Sequence, residues 1–258
     1  MAQNSGIEWT DHTVNLWWGC TKVHRGCDNC YAETLSNRFG NDIWGNDKPR
    51  KRIKSAFRDL AKYQKEAAEK GTYYKVFVGS MMDIFEKPMP LMNPIPDYNT
   101  TSDLRIRFFT DFEFNEYPNL TFLLLTKRPG NINRYLTSYM RENPPKNVWF
   151  GTSPVDQKTF ETLVPQLQKV KGNKFLSIEP QLDDIDLNRI DLSGIGWIIQ
   201  GGESGRGKRP FDLSWADKMR GQCQRLNIPY FFKQIDKVQE IPLQMQCRLF
   251  PEFQNHGL

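Results

Sequence analysis

The chain has 258 residues, of which 38% are hydrophobic and 13% aromatic, enough apolar side chain to bury a core and too much for wholesale disorder. Its 35 Lys and Arg against 30 Asp and Glu leave a net charge of +5, which permits an anionic partner without demanding one. No apolar run reaches the roughly 18 residues of a membrane span, and the opening MAQNSGI is too polar for a secretory leader, so a soluble, cytoplasmic protein with no membrane partner is expected.

In chain order, residues 7–10 and 14–18 are short apolar stretches, either of which supplies a candidate first strand. Three cysteines follow, and then a basic stretch in which five of the seven residues from 48 to 54 are Lys or Arg. Residues 56–70, rich in Ala, Lys, Glu and Gln, predict a helix. Near-continuous apolar runs then recur at 75–80 (KVFVGS), 121–128 (TFLLLTKR), 148–153 (VWFGTS), 175–180 (FLSIEP), 197–204 (WIIQGGES) and 230–234 (YFFKQ). Runs of this kind read as parallel strands buried on both faces. Between them, 156–170 carries Phe160, Leu163, Val164 and Leu167 as an amphipathic stripe, and 215–226 is a second helix stopped by Asn227 or Pro229. Ser153-Pro154 and Asp212 to Ser214 look like helix starts. Residues 89–119, rich in proline and polar groups, read as an irregular insertion, and the residues from 236 as a short C-terminal tail. No compositional break divides residues 1–258, which predicts a single catalytic domain. Alternating strand and helix give an α/β fold, a partial parallel (β/α) barrel of six to seven strands.

Each run ends in polar or charged residues: Ser80 and Asp83; Thr126, Lys127 and Arg128; Thr152 and Ser153; Glu179; Glu203 and Ser204; Lys233 and Gln234. In a parallel barrel these ends share one rim, where ligands bind.

The strongest local signal is CTKVHRGCDNCY, which places Cys20, Cys27 and Cys30 within eleven residues. Five cysteines in a chain without a leader argue against a disulfide scaffold and for thiols that bind metal. A four-iron cubane would use three cysteines and keep one iron open, an arrangement suited to chelating S-adenosylmethionine. A zinc site completed by His24 or His12, or no metal at all, also fits the spacing. Cys223 and Cys247 read as core or incidental residues.

Residues 15–31 (NLWWGCTKVHRGCDNCY), followed in order by VGSMMDIF, LLLTKRP, GTSPVDQ, SIEP, GGESG and FFKQ, resemble a phage-associated three-cysteine-motif family of unknown function. That family looks like a remote branch of the radical S-adenosylmethionine superfamily and is distantly similar to spore photoproduct lyase. The resemblance implies a radical-SAM-like barrel, a 4Fe-4S cluster on Cys20, Cys27 and Cys30, an electron donor, and S-adenosylmethionine facing Ser80, Asp83, Thr152, Ser153 and Glu179. Six residues separate Cys20 from Cys27 where the superfamily's loop has three. The superfamily's amine-holding Gly-Gly-Glu position reads Gly79-Ser80-Met81-Met82-Asp83 here, whereas Gly201-Gly202-Glu203 ends a later strand. Ser80 and Asp83 are therefore the positional candidates for the amine. Lys127, Glu203 and Lys233 are assigned to the substrate or to proton movement. The expected reaction generates a 5′-deoxyadenosyl radical that modifies or repairs a nucleic acid base or nucleotide. The residue 48–54 cluster, the cluster of Arg206, Lys208 and Arg209, and the likeness to a DNA-repair lyase favour DNA, RNA or a nucleotide as substrate. The alternative is a zinc-binding, non-radical protein that binds or hydrolyses nucleic acid.

Overall fold

In the computed structural model, which describes residues 5–253, β1 (His12–Val14) leads to the short strand β2 (Trp17–Trp18) and helix α1 (Tyr31–Arg38). Strand β3 (Lys51–Arg52) and helix α2 (Ala56–Glu69) bring the chain to β4 (Tyr74–Val78). A hairpin of β5 (Pro90–Ile95) and β6 (Tyr98–Thr100) precedes α3 (Thr101–Glu113) and β7 (Leu120–Thr126). Two short helices, α4 (Ile132–Tyr135) and α5 (Ser138–Glu142), lie before β8 (Val148–Thr152). Helix α6 (Gln157–Gln168) and β9 (Asn173–Ile178) come next, then β10 (Ile195–Gly201), α7 (Leu213–Arg225) and β11 (Tyr230–Gln234).

One seven-stranded sheet runs in the order β1-β4-β7-β8-β9-β10-β11, every neighbouring pair parallel. The order never reverses, so the chain winds in one sense into a half-barrel flanked by helices, and all seven C-terminal strand ends meet at one rim. Alternation along the strands sorts two cores. Val76, Val78, Phe122, Leu124, Phe150, Leu176, Ile198 and Phe232 pack against the helix layer with Leu60, Phe108, Phe160 and Met219. Phe77, Leu123, Trp149, Phe175, Trp197, Ile199 and Phe231 point to the inner face, where they join Trp9. Gly151 clears space there, since a Cβ at that position would lie 2.3 Å from the Phe175 ring.

The ends of the described chain seal the bottom of this inner face. Phe250 and Phe253 stack near Trp197 and Trp149, with ring centroids 5.4 and 5.3 Å apart. The Trp197 indole N–H donates to the Leu249 carbonyl (2.9 Å), and Arg248 pairs with Glu8 (3.0 Å). The segment read as a bare tail is thus a plug.

Other expectations need correction. The first strand of the sheet is His12–Val14, which meets the second candidate stretch only at Val14, while Trp17–Trp18 pairs antiparallel with Lys51–Arg52 outside the main sheet. Residues 89–119 hold the hairpin and α3, whose start is fixed by a capping box of Thr100 and Asp103. Its buried stripe of Leu104, Phe108, Phe109 and Phe112 supplies the crossover between β4 and β7. Helix α6 is capped by Asp156, which accepts from the Thr159 N–H (2.8 Å), and not by Ser153-Pro154. Asp212 caps α7 as expected, and Asn227, at φ 53°, lies just beyond its end. Among the described residues no helix is long and apolar enough to cross a membrane.

His12 is 4% exposed and lies flat against the Tyr63 ring (3.9 Å between centroids), with neither ring nitrogen hydrogen-bonded. Burial lowers its pKa despite the attraction of Asp11. The unfolded chain therefore binds a proton near pH 6.5 that the folded chain refuses, and stability falls as the pH drops below that value. In urea unfolding from pH 7.5 to 5, His12→Phe is expected to flatten the acid-side decline by up to about 1.4 kcal/mol per pH unit, the weight of one proton.

Candidate functional site

A cavity of about 310 Å³ opens at the C-terminal rim. Ile7, Trp9, Phe77 and Leu125 form its apolar floor, and residues of the 20–30 loop form its roof. Cys20, Cys27, Cys30, Ser80, Asp83, Lys127, Ser153, Glu179, Glu203 and Lys233 all line it. Thr152 does not: the alternation that turns Gly151 and Ser153 inward turns Thr152 away, and its hydroxyl donates to the Thr126 carbonyl (2.9 Å).

The cysteine loop is strapped across the rim at both ends. At its start, Gly19 takes φ 112° and approaches so closely that a Cβ would lie 2.7 Å from Arg50 Cδ. Arg50 is itself 0% exposed; it pairs bidentately with Glu86 (2.6 and 2.9 Å) and donates to the Ile43, Gly45 and Lys48 carbonyls and to Thr21 Oγ1. Arg128 donates to the Thr21 carbonyl (2.6 Å), approaches Cys20 Sγ (3.7 Å) and pairs with Asp83 (2.7 Å). At the far end, Glu203 accepts from Asn29 (2.9 Å) and from the Arg209 backbone and guanidinium. Arg209 donates in turn to the Arg25 carbonyl (3.0 Å). Between these anchors Arg25 reaches Asp156 (3.4 Å), and the Tyr31 hydroxyl donates to the Ser80 carbonyl (2.7 Å).

These contacts reassign several predicted residues. Asp83 has both oxygens occupied, by Phe85 N–H, Thr126 Oγ1, Lys127 N–H and Arg128, so it braces the rim and offers no vacant acceptor for an amine. Glu203 is a tie for the loop. Burial opposes its ionisation, but the bonds from Arg209 and Asn29 prevail and its pKa is lowered. Ser80 Oγ accepts from Asn15 (2.8 Å), and Ser153 donates to the Ser177 carbonyl (2.7 Å). Glu179 pairs with Lys233, reaching from β9 to β11 across Gly201 of β10, where a Cβ would stand 3.6 Å from the Glu179 carboxyl carbon. Lys127 is the exception, as its Nζ has no partner among the described residues.

The basic clusters are largely spent on the fold. Arg50 is buried, Lys48 pairs with Asp42, and Lys51 donates to Asn41. Lys208 pairs with Asp236 (2.7 Å) and Arg209 with Glu203. Sequence alone misses this because the loops fold back to bring the partners together, from six residues away for Lys48 and Arg209 to 36 for Arg50.

All three loop thiols are free and partly exposed. Cys27 closes a short 3₁₀ turn, and Cys30 takes the N-cap position of α1. Burial and the adjacent Asp83 push the Cys20 thiol up to about 12, against the pull of Arg128. Three soft thiol donors on one short loop, facing one chamber, suit an iron–sulfur cluster by donor type. The side chains are not drawn together: among the described residues no three His, Cys, Asp or Glu groups are placed to hold a metal ion. The histidines weighed as a fourth ligand lie elsewhere. His12 stacks on Tyr63 in the helix layer, and His24 Nδ1 accepts from Gly26 N–H (3.1 Å) outside the chamber lining. Burial and then the nearby Lys127 charge lower the His24 pKa to about 4, which keeps that acceptor neutral.

A family profile described as "Protein of unknown function (DUF5131)" matches residues 4–248, and the chain belongs to that family. No curated protein and no solved structure matches the chain.

Removing one partner of a buried ion pair strands the other's charge. Glu86→Ala is therefore expected to cost about 3–5 kcal/mol in denaturant unfolding and to raise hydrogen exchange at residues 20–22 and 43–48.

Proposed function

We propose that this protein is a radical S-adenosylmethionine enzyme acting on a nucleotide or nucleic acid base. Support comes first from three free thiols on one loop strapped over the chamber into which the strands of a parallel half-barrel deliver their polar ends. The ordered motifs add to it, since they resemble a three-cysteine-motif family that looks like a remote branch of the radical superfamily. In this reading Cys20, Cys27 and Cys30 hold a 4Fe-4S cluster. Once bound, that group supplies an open iron for S-adenosylmethionine and the electron for its reductive cleavage.

The remaining work belongs to the chain's own residues. Trp9, Phe77 and Leu125 keep the chamber floor apolar and exclude water. Arg50, Arg128, Glu203 and Arg209 fix the two ends of the loop, so that the cysteines stay over the chamber. Ser80 presents a polar edge to a bound molecule, and the ion pair of Glu179 and Lys233 sets a carboxylate and an amine within reach of it. The gathering of the thiols accompanies cofactor loading, since a metal site seldom exists fully formed without its metal.

Anaerobic reconstitution followed by iron and sulfide analysis tests the cofactor. About four irons and a brown chromophore are expected in the parent protein, both strongly reduced in Cys27→Ala. One tightly held zinc without visible absorbance would replace this reading with a zinc-binding, non-radical protein. Under dithionite the loaded protein is expected to release 5′-deoxyadenosine from S-adenosylmethionine, and Cys27→Ala to release none.

A further inference from the structure

The charges that line the chamber can be cancelled pair by pair. Asp83 is matched by Arg128, Glu179 by Lys233, Glu203 by Arg209, and Lys22 by Glu33. Every carboxylate on the wall is used up in this way. Two cations remain, Lys127 on the end of β7 and Lys237 at the mouth, neither with a partner among the described residues. Lys127 is half-buried and lines a chamber with apolar walls, and a cation there with no counter-ion of its own favours a bound anion.

From this surplus we infer that Lys127 receives the phosphate of a nucleotide substrate, with Lys237 screening the same charge at the entrance. The inference rests on the chamber being the substrate site proposed above. It commits that site to a phosphorylated ligand and assigns a specificity residue that the cofactor reading does not require. The apolar lining of the half-buried Ile7 and Leu125, beside the buried Trp9 and Phe77, gives the base a surface to rest on. A nucleoside would find the same floor but leave Lys127 unmatched, so discrimination between nucleotide and nucleoside falls mainly on that amine.

The test is calorimetric titration of the full-length chain, iron-loaded and iron-free, with nucleoside 5′-monophosphates and the matching nucleosides. The monophosphate is expected to bind at least about 10-fold more tightly, the scale of one charge-assisted hydrogen bond, and to weaken with added salt while the nucleoside does not. Lys127→Ala is expected to bring that ratio near one, Lys127→Arg to restore most of it, and Lys237→Ala to lower it less. Thermal melts confirm that each variant is folded. Equal binding of nucleotide and nucleoside by the parent protein, no binding of either, or a ratio unchanged in Lys127→Ala would overturn the inference. So would loss of S-adenosylmethionine binding in Lys127→Ala with the ratio intact, which would give the amine to the cofactor's carboxylate. Iron content is read separately in every sample, so failure here is distinguishable from failure of the cofactor reading.

Discussion

The guanidinium of Arg50 is the point on which the site depends. A charge with no exposure is tolerated only when its donors are all engaged, and Arg50 spends them on three separate stretches of chain. Glu86 holds it from the segment after β4, the carbonyls of Ile43, Gly45 and Lys48 from the turn after α1, and Thr21 from the cysteine loop. Arg105 of α3 fixes the backbone of the same segment by donating to the Ile84 and Glu86 carbonyls, both at 2.6 Å. The start of the loop is thus wired to the helix layer through buried hydrogen bonds, and Gly19 is the one residue type that lets the chain pass so close to that cation.

The sheet was readable from the amino acids because parallel strands covered on both faces must be apolar along their whole length, and six such runs stand out. The rim was readable for the same reason: a change from FLSI to Glu-Pro, or from LLLT to Lys-Arg, marks where a strand leaves the core. The first strand was blurred by its length of three residues and by His12, a polar residue packed inside. Helix α3 was hidden by the proline-bearing hairpin before it, although Thr100 and Asp103 carry its capping signal.

Side-chain roles were less legible than positions. Cys20, Cys27, Cys30, Glu179 and Lys233 fall where the rim argument puts them, yet the pairing of Glu179 with Lys233 joins two strand ends 54 positions apart that only the fold brings together. Thr152 was lost to a one-residue alternation. Asp83 and Glu203 lie at the chamber, but their oxygens are consumed by hydrogen bonds that only the fold brings together. Arg50 read as part of a surface charge cluster, although Glu86, 36 positions away, buries it completely.

The two attachments of the cysteine loop differ in kind. On the Arg50 side a fully buried guanidinium, itself paired with Glu86, donates to Thr21 Oγ1, whereas on the Arg209 side the guanidinium, paired with Glu203, is 26% exposed and grips the loop through Arg25 and Asp28 at the surface. Water competes more strongly for the second set than for the first. The roof is therefore held more firmly above β4 and β7 than above β10, where the glycine-rich turn follows Glu203.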